Sequence, residues 1–311
     1  MAGRFWGGLL SKNKLVIHIT AYESLNLSKF TVLFFFMIEN PSISVVISTY
    51  NSVEWLEKTL WSYEHQIFRE FEIVIADDGS GQETKDFIDH YRTISSKPII
   101  HVWHEDNGFQ KSEILNKALM ACTSPYVVMT DGDCIAREDF LQIHYERRSP
   151  GYFLSGGYYK LPLDLSQSIT KEDIATQKCF DLKWLKENGL PSSYKNQKLT
   201  SGFVQAGVME RLTPTNASWN GHNSSGWLTD LKAVNGFDER MQYGGQDREL
   251  GERLFNYGIK SKQIRYSAIC LHLDHARGYK NQESIDKNLA IRKATRTEKK
   301  DYTPYGIVKK S

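Results

Sequence analysis

The sequence predicts an α/β fold, a mostly parallel central sheet flanked by helices. Three observations predict it. From residue 42, short and almost wholly apolar runs alternate with stretches of helical period; each run closes in a polar turn; and the cycle repeats through four strands before residue 134. A strand covered on both faces reads as a continuous apolar run, whereas a strand with one wet face alternates.

The first run, 43–47, leads into Ser48-Thr49-Tyr50-Asn51 and then into Val53, Leu56 and Leu60 at helical spacing. The second, 71–76, ends in Asp77-Asp78-Gly79-Ser80-Gly81 and is followed by a predicted helix over 84–91. The third, 99–103, precedes a helix over 112–122 with Ile114, Leu115, Ala118 and Leu119 on one face, and the fourth, 126–130, ends in Asp131-Gly132-Asp133. Residues 149–216 are less regular, with a helix expected over 171–188 and a polar segment over 191–200. Regular pattern returns over 219–238, then in a helix over 247–257, a strand over 264–270 and a final helix over 283–295, after which the basic residues 297–311 are expected to fray. Before residue 41 there is no clear period. The apolar run 30–38 is far shorter than the roughly 20 residues a membrane helix needs, and Glu39 follows it with no small-residue cleavage site, so it is a poor signal peptide. The ordered pattern begins just after Met37, which is the expected natural start.

Composition excludes several classes. Lysine plus arginine number 39 against 37 acids, a formal charge of +2, so no strong field favours nucleic acid and none is expected as a partner. Cys122, Cys134, Cys179 and Cys270 form no CxxC pair, which argues against a zinc knuckle or a disulfide framework and for a reducing, cytoplasmic setting. The basic, aromatic termini leave room for peripheral association with the inner face of a membrane. The 7 Trp and 16 Tyr offer flat rings to a sugar face, although such rings mostly fill cores.

In parallel sheets ligands bind outside the carboxyl ends of the strands, so the clusters at 48–51, 77–81 and 131–133 should converge on one crevice. Asp131 and Asp133 at a strand tip would repel each other unless a cation lay between them, and hard oxygen ligands suit Mg2+ or Mn2+. Asp-Gly-Asp is also good turn chemistry; its place at the end of the fourth strand favours the metal. His272 is the expected third ligand, with His275 in reserve. Asp247, after Gly244 and Gly245 at a helix start, is either a plain cap or a general base. Asp78 is a turn residue or a hydrogen-bonding partner for a nucleotide. No GxGxxG follows the first strand, and GxxxxGK[ST] and GxSxG are missing, so dinucleotide enzymes, P-loop NTPases and the common α/β hydrolases lack support.

These motifs together resemble the inverting family 2 glycosyltransferases of GT-A fold, nucleotide-diphospho-sugar transferases, with a galactosyltransferase-like C-terminal region. Ser44-Val-Val-Ile-Ser-Thr-Tyr-Asn51 and Ile73-Val-Ile-Ala-Asp-Asp-Gly-Ser80 are similar to the family's first two strands, Asn107-Gly-Phe109 with Asn116 to its next helix, and Asp131-Gly-Asp133 to its metal motif. Trp219-Asn-Gly-His-Asn223, Val234-Asn-Gly-Phe-Asp-Glu239 and Tyr243-Gly-Gly-Gln-Asp247 look like the acceptor side. The resemblance implies that Thr49, Tyr50, Asn51 and Asp78 hold the base and ribose, usually of UDP. It implies that Asp131 touches ribose or metal, that Asp133 and His272 bind Mn2+ or Mg2+, and that Asp247 is the base. Asn223, Tyr243, Gly244, Gly245 and Gln246 would then contact the acceptor, a glycan or lipid-linked oligosaccharide in polysaccharide biosynthesis. On this reading 41–148 binds the nucleotide sugar, 149–216 is a substrate-side insertion and 217–296 carries acceptor and base. Two positions depart from the pattern. Gln110 replaces an arginine, with Lys111 beside it, so the donor-side charge is moved or lost; Tyr243 and Gln246 replace tryptophan and glutamate. Two rivals remain: a nucleotide-sugar-binding protein that has lost catalysis, supported only by Gln246, and a sugar nucleotidyltransferase, which would release pyrophosphate.

Overall fold

The computed structural model describes residues 41–200, 202–213, 217–275 and 281–309; the expectations for Met37 and the apolar run 30–38 lie outside the described residues. The first half runs β1 (Ile43–Thr49), α1 (Val53–Glu64), β2 (Phe71–Asp77), α2 (Gln82–Ile94), β3 (Ile99–Trp103), α3 (Lys111–Ala121) and β4 (Tyr126–Asp131). Then follow β5 (Cys134–Ala136), α4 (Phe140–Arg147), β6 (Tyr152–Ser155), β7 (Tyr159–Lys160) and the short helices α5 (Leu163–Ser168), α6 (Lys171–Ala175), α7 (Leu182–Glu187), α8 (Gln197–Thr200) and α9 (Phe203–Leu212). The chain closes with β8 (Ser224–Trp227), α10 (Leu228–Ala233), α11 (Gln246–Asn256), β9 (Lys260–Gln263), β10 (Cys270–His272) and α12 (Gln282–Thr297).

The main sheet has the order β3-β2-β1-β4-β8-β6-β9, parallel from β3 to β4, with β8 antiparallel to both β4 and β6. Side chains alternate across the pleat, so Ile43, Val45 and Ile47 pack against Leu56 and Leu60 of α1, while Val46 packs with Ile114 and Ala118 of α3 on the other face. Each such fully buried aliphatic contributes about 1.5–3 kcal/mol. The parallel register sets Thr49 beside Asp77 and Ser48 beside Asp131, which brings three turns to one edge. A second sheet, β5-β10-β7, pairs His272 with Cys134, next to Asp133.

Three sequence expectations need correction. The helix over 171–188 is broken: Gln177 adopts a left-handed conformation (φ 59°), and the Asp181 side chain accepts from the Trp184 N–H to start α7 anew. The strand over 264–270 is really a turn between β9 and β10, closed where the Ser267 and Ala268 N–H groups donate to the Ile264 carbonyl. The tail does not fray over 301–309. Asn235, itself left-handed, donates through Nδ2 to the Thr303 and Val308 carbonyls and accepts from the Val308 N–H, while Arg240 stacks over the Tyr305 ring.

Candidate active site

The first two turns are joined by side-chain bonds to backbone. Asn51, held at φ 44°, accepts the Gly81 N–H at 2.8 Å, and its own N–H donates to Ser80 Oγ at 2.8 Å. Gly79 sits at φ +91°, and a Cβ there would lie 2.6 Å from Asp106 Cα, so only glycine fits. Asp78 is buried; one oxygen meets His104 Nε2 at 2.9 Å and the other accepts the Gln110 N–H at 3.0 Å. Burial raises its pKa, and those two bonds only partly offset the rise. Thr49 Oγ1 is buried with no partner among the described residues, and Tyr50, half exposed, donates to Asp106.

Asp131 accepts from Ser48 Oγ at 2.9 Å and from Lys111 Nζ at 2.6 Å. Burial opposes the charge on each, but their mutual attraction outweighs it, raising the pKa of Lys111 and drawing that of Asp131 far down. The cation next to Gln110 is thus engaged with Asp131. Among the described residues Gln110 itself reaches only Glu113 with its side chain.

Asp133 faces the other way. Its Oδ2 lies 2.8 Å from His275 Nε2 and 3.6 Å from His272 Nε2, and its Oδ1 accepts the Cys134 thiol at 3.4 Å. His272 Nδ1 is 2.9 Å from the Leu273 carbonyl, which takes the ring proton there and leaves the Nε2 lone pair turned toward a carboxylate. Two electron-rich groups so placed fit a cation between them. Asp133, His272 and Cys134 form a compact possible metal cluster, but burial pushes the Cys134 thiol up and keeps it protonated, which leaves Asp133 and His272 as its hard donors, with His275 beside Asp133. His275, expected only in reserve, is the nearer of the two histidines.

Asp247 opens α11 behind Gly244 (φ 111°) and Gly245 (φ 85°). A Cβ on Gly221 would lie 3.3 Å from Asp247 Oδ2 and 3.5 Å from Asp131 Oδ1, so the two carboxylates converge on a gap that a glycine leaves open. Oδ1 of Asp247 is enclosed and has no hydrogen-bond partner among the described residues. Burial raises its pKa to about 6; Lys111 pulls it down and Asp131 pushes it up. Beside it a cavity of about 320 Å³ is lined by Trp219, Asn220, His222, Gly244 and Gly245 among others. His222 is held neutral, its pKa lowered to about 4 by burial.

Three residues expected at the acceptor do not line this cavity. Asn223 is fully buried: Nδ2 donates to the Gly157 and Ala268 carbonyls and Oδ1 meets His144 Nε2 at 3.0 Å, which makes it a clamp beneath the site. Gln246 is buried and accepts the Gly244 N–H at 3.1 Å, shaping the turn; Tyr243 packs edge-on against Phe109. Sequence reasoning missed Ser48, Gly221 and the α12 wall of the cavity. Ser48 lay in the 48–51 turn and Gly221 in the motif Trp219-Asn-Gly-His-Asn223, but neither stood out until the register set Ser48 opposite Asp131.

Comparison with known proteins bears on the fold and on the first half of the chain. Residues 44–152 match the family model described as Glycosyl transferase family 2. Validoxylamine A glucosyltransferase of Streptomyces hygroscopicus subsp. jinggangensis is 28% identical over 73% of this chain; the chain spans 54% of that relative's length. The fold is GT-A. Mannosyltransferase PcManGT from Pyrobaculum calidifontis, in complex with GDP-Man and Mn2+, superposes with a TM-score of 0.52 at 18% identity, covering 83% of this chain and 62% of that one. S. aureus TarS 1-349 in complex with UDP gives 0.52 at 16% identity, covering 83% and 68%. Among the described residues no helix is long and apolar enough to cross a membrane.

Proposed function

We propose that this protein is an inverting, metal-dependent hexosyltransferase that moves a sugar from a UDP-sugar donor to the hydroxyl of a glycan or lipid-linked acceptor. One observation carries the reading: the enclosed, unpartnered Oδ1 of Asp247 shares the Gly221 gap with Asp131, at the edge where the turns after β1, β2 and β4 meet. A carboxylate with pKa near 6 is ionised at neutral pH yet basic enough to take a proton from an attacking hydroxyl.

In this mechanism Thr49, Asn51 and Asp78 hold the nucleotide, and Asp133, His272 and His275 hold Mn2+ or Mg2+. When bound, that ion neutralises charge developing on the departing diphosphate. Lys111, anchored on Asp131, places a second positive charge beside the same crevice. Asp247 orients and deprotonates the acceptor, whose oxygen attacks the anomeric carbon from the face opposite the diphosphate, and an α-linked donor yields a β-glycoside. Gln246 gives no support to a binding-only protein, because its amide oxygen is committed to Gly244. The test is incubation with a panel of UDP-sugars, Mn2+ and glycan acceptors: UDP release with a β-linked product is expected, and pyrophosphate release would replace this reading with nucleotidyl transfer.

A further inference from the structure

The cavity beside Asp247 carries cations that proton abstraction does not need. Arg248 lines it from the first turn of α11, is exposed, and has no carboxylate within ion-pair distance among the described residues. A helix N-terminus is the positive end of the macrodipole, so a guanidinium there is unfavourable unless an anion joins it. Its charge also pulls the pKa of Asp247 down and so works against the base. Arg292 reaches the same cavity from α12: its Cδ would lie 3.1 Å from a Cβ on Gly245. Among the described residues its one carboxylate partner, Glu252, at 2.6 Å, is shared with Arg296 at 3.0 Å, so a single negative charge serves two guanidiniums. The donor side has its own cation, Lys111, already on Asp131, which leaves the α11–α12 pair to the acceptor. Ile285 and Leu289 add an apolar wall between the charges. An exposed guanidinium with no ion-pair partner among the described residues, on the wall of a cavity, is open to an anionic ligand.

We propose, resting on the transfer reading above, that the acceptor is anionic: a carboxylate or phosphate close to its reacting hydroxyl is received by Arg248 and Arg292 while the hydroxyl meets Asp247. A uronic acid and a phosphorylated or lipid-diphosphate sugar supply the same chemistry, and the experiment separates them. Wild type and Arg248→Gln are assayed by UDP release on three matched acceptors: a neutral hexoside, its uronide and its hexosyl phosphate. Charge-assisted hydrogen bonds predict a preference in kcat/KM of about 10–100-fold for one anionic acceptor, with Arg248→Gln abolishing that preference and Arg248→Lys restoring part of it. The preferred anion names the source. Equal turnover of neutral and anionic acceptors overturns the inference, as does an equal loss on all three in Arg248→Gln. Absence of UDP release from the wild type with every donor and acceptor, while Mn2+ and UDP still bind, overturns the transfer reading itself and the inference with it.

Discussion

β1 to β4 and the shorter strands that follow them in the chain are held by different forces. In β1, Ile43, Val45, Val46 and Ile47 are all fully buried between layers of helices. The strands of the other half are three or four residues long, apart from the two-residue β7, and its turns are tied by buried asparagines: Asn223 to Gly157 and Ala268, Asn235 to Thr303 and Val308, Asn288 to Gln242, Tyr243 and Gly244. The comparison teaches where each half keeps its function. Under the proposed function the apolar half offers a rigid rim for the nucleotide, and the polar half places one carboxylate, Asp247, by a framework of hydrogen bonds.

If that division holds, removing the base should damage chemistry and spare binding. Asp247→Asn should lower kcat by about 10²–10⁴-fold while UDP affinity, measured by titration with Mn2+ present, changes little. Equal loss of both would move Asp247 to the donor side. A change on the metal arm should do the reverse: His275→Ala is expected to weaken activation by Mn2+ by at least about tenfold, and an unchanged Mn2+ titration would return the ligand role to His272 alone.

Stability sharpens the same contrast. Asn223→Ala strands two carbonyls and His144 in a dry interior, so urea unfolding should show a loss of about 2–4 kcal/mol, as large as a core truncation in the apolar half. His144 is held neutral, its pKa lowered to about 3 by burial. The unfolded chain binds this proton below its ordinary value of about 6.5 and the folded chain does not, so stability falls as pH drops from about 6.5 toward 3. His144→Gln should blunt that acid sensitivity, and an unchanged profile would refute the assignment. The smallest effect is on the pH profile of activity: turnover should fall as pH drops through about 6 or somewhat lower, because Asp247 must be ionised and a bound cation draws its pKa down. A limb that persists in Asp247→Asn would belong to another group.

The two halves also differed in how plainly the sequence spoke. Apolar runs announced β1 to β4 because burial on both faces leaves a local mark, and the polar turns at 48–51, 77–81 and 131–133 were visible as the ends of those runs. Gln177 and the turn after Ile264 left no such mark, since a left-handed residue or a carbonyl-closed turn is chosen by packing that the local pattern does not contain. Asn223 looked like an acceptor contact because it sits in a polar motif, and its burial depends on Gly157 and Ala268, 66 and 45 residues away.

Residue order alone determined the parallel layers, the placing of Asp131 and Asp133 at a strand tip, and the presence of an acid behind two glycines, because each follows from periodicity and short-range sterics. Tertiary structure decided that Lys111 takes Asp131, that His275 comes closer to Asp133 than His272 does, and that Asp247 shares the Gly221 gap with Asp131. Those relations join residues 20 to 142 positions apart in the chain that are neighbours in space. Electrostatic and hydrogen-bond energies depend on distance in space, which no local pattern encodes.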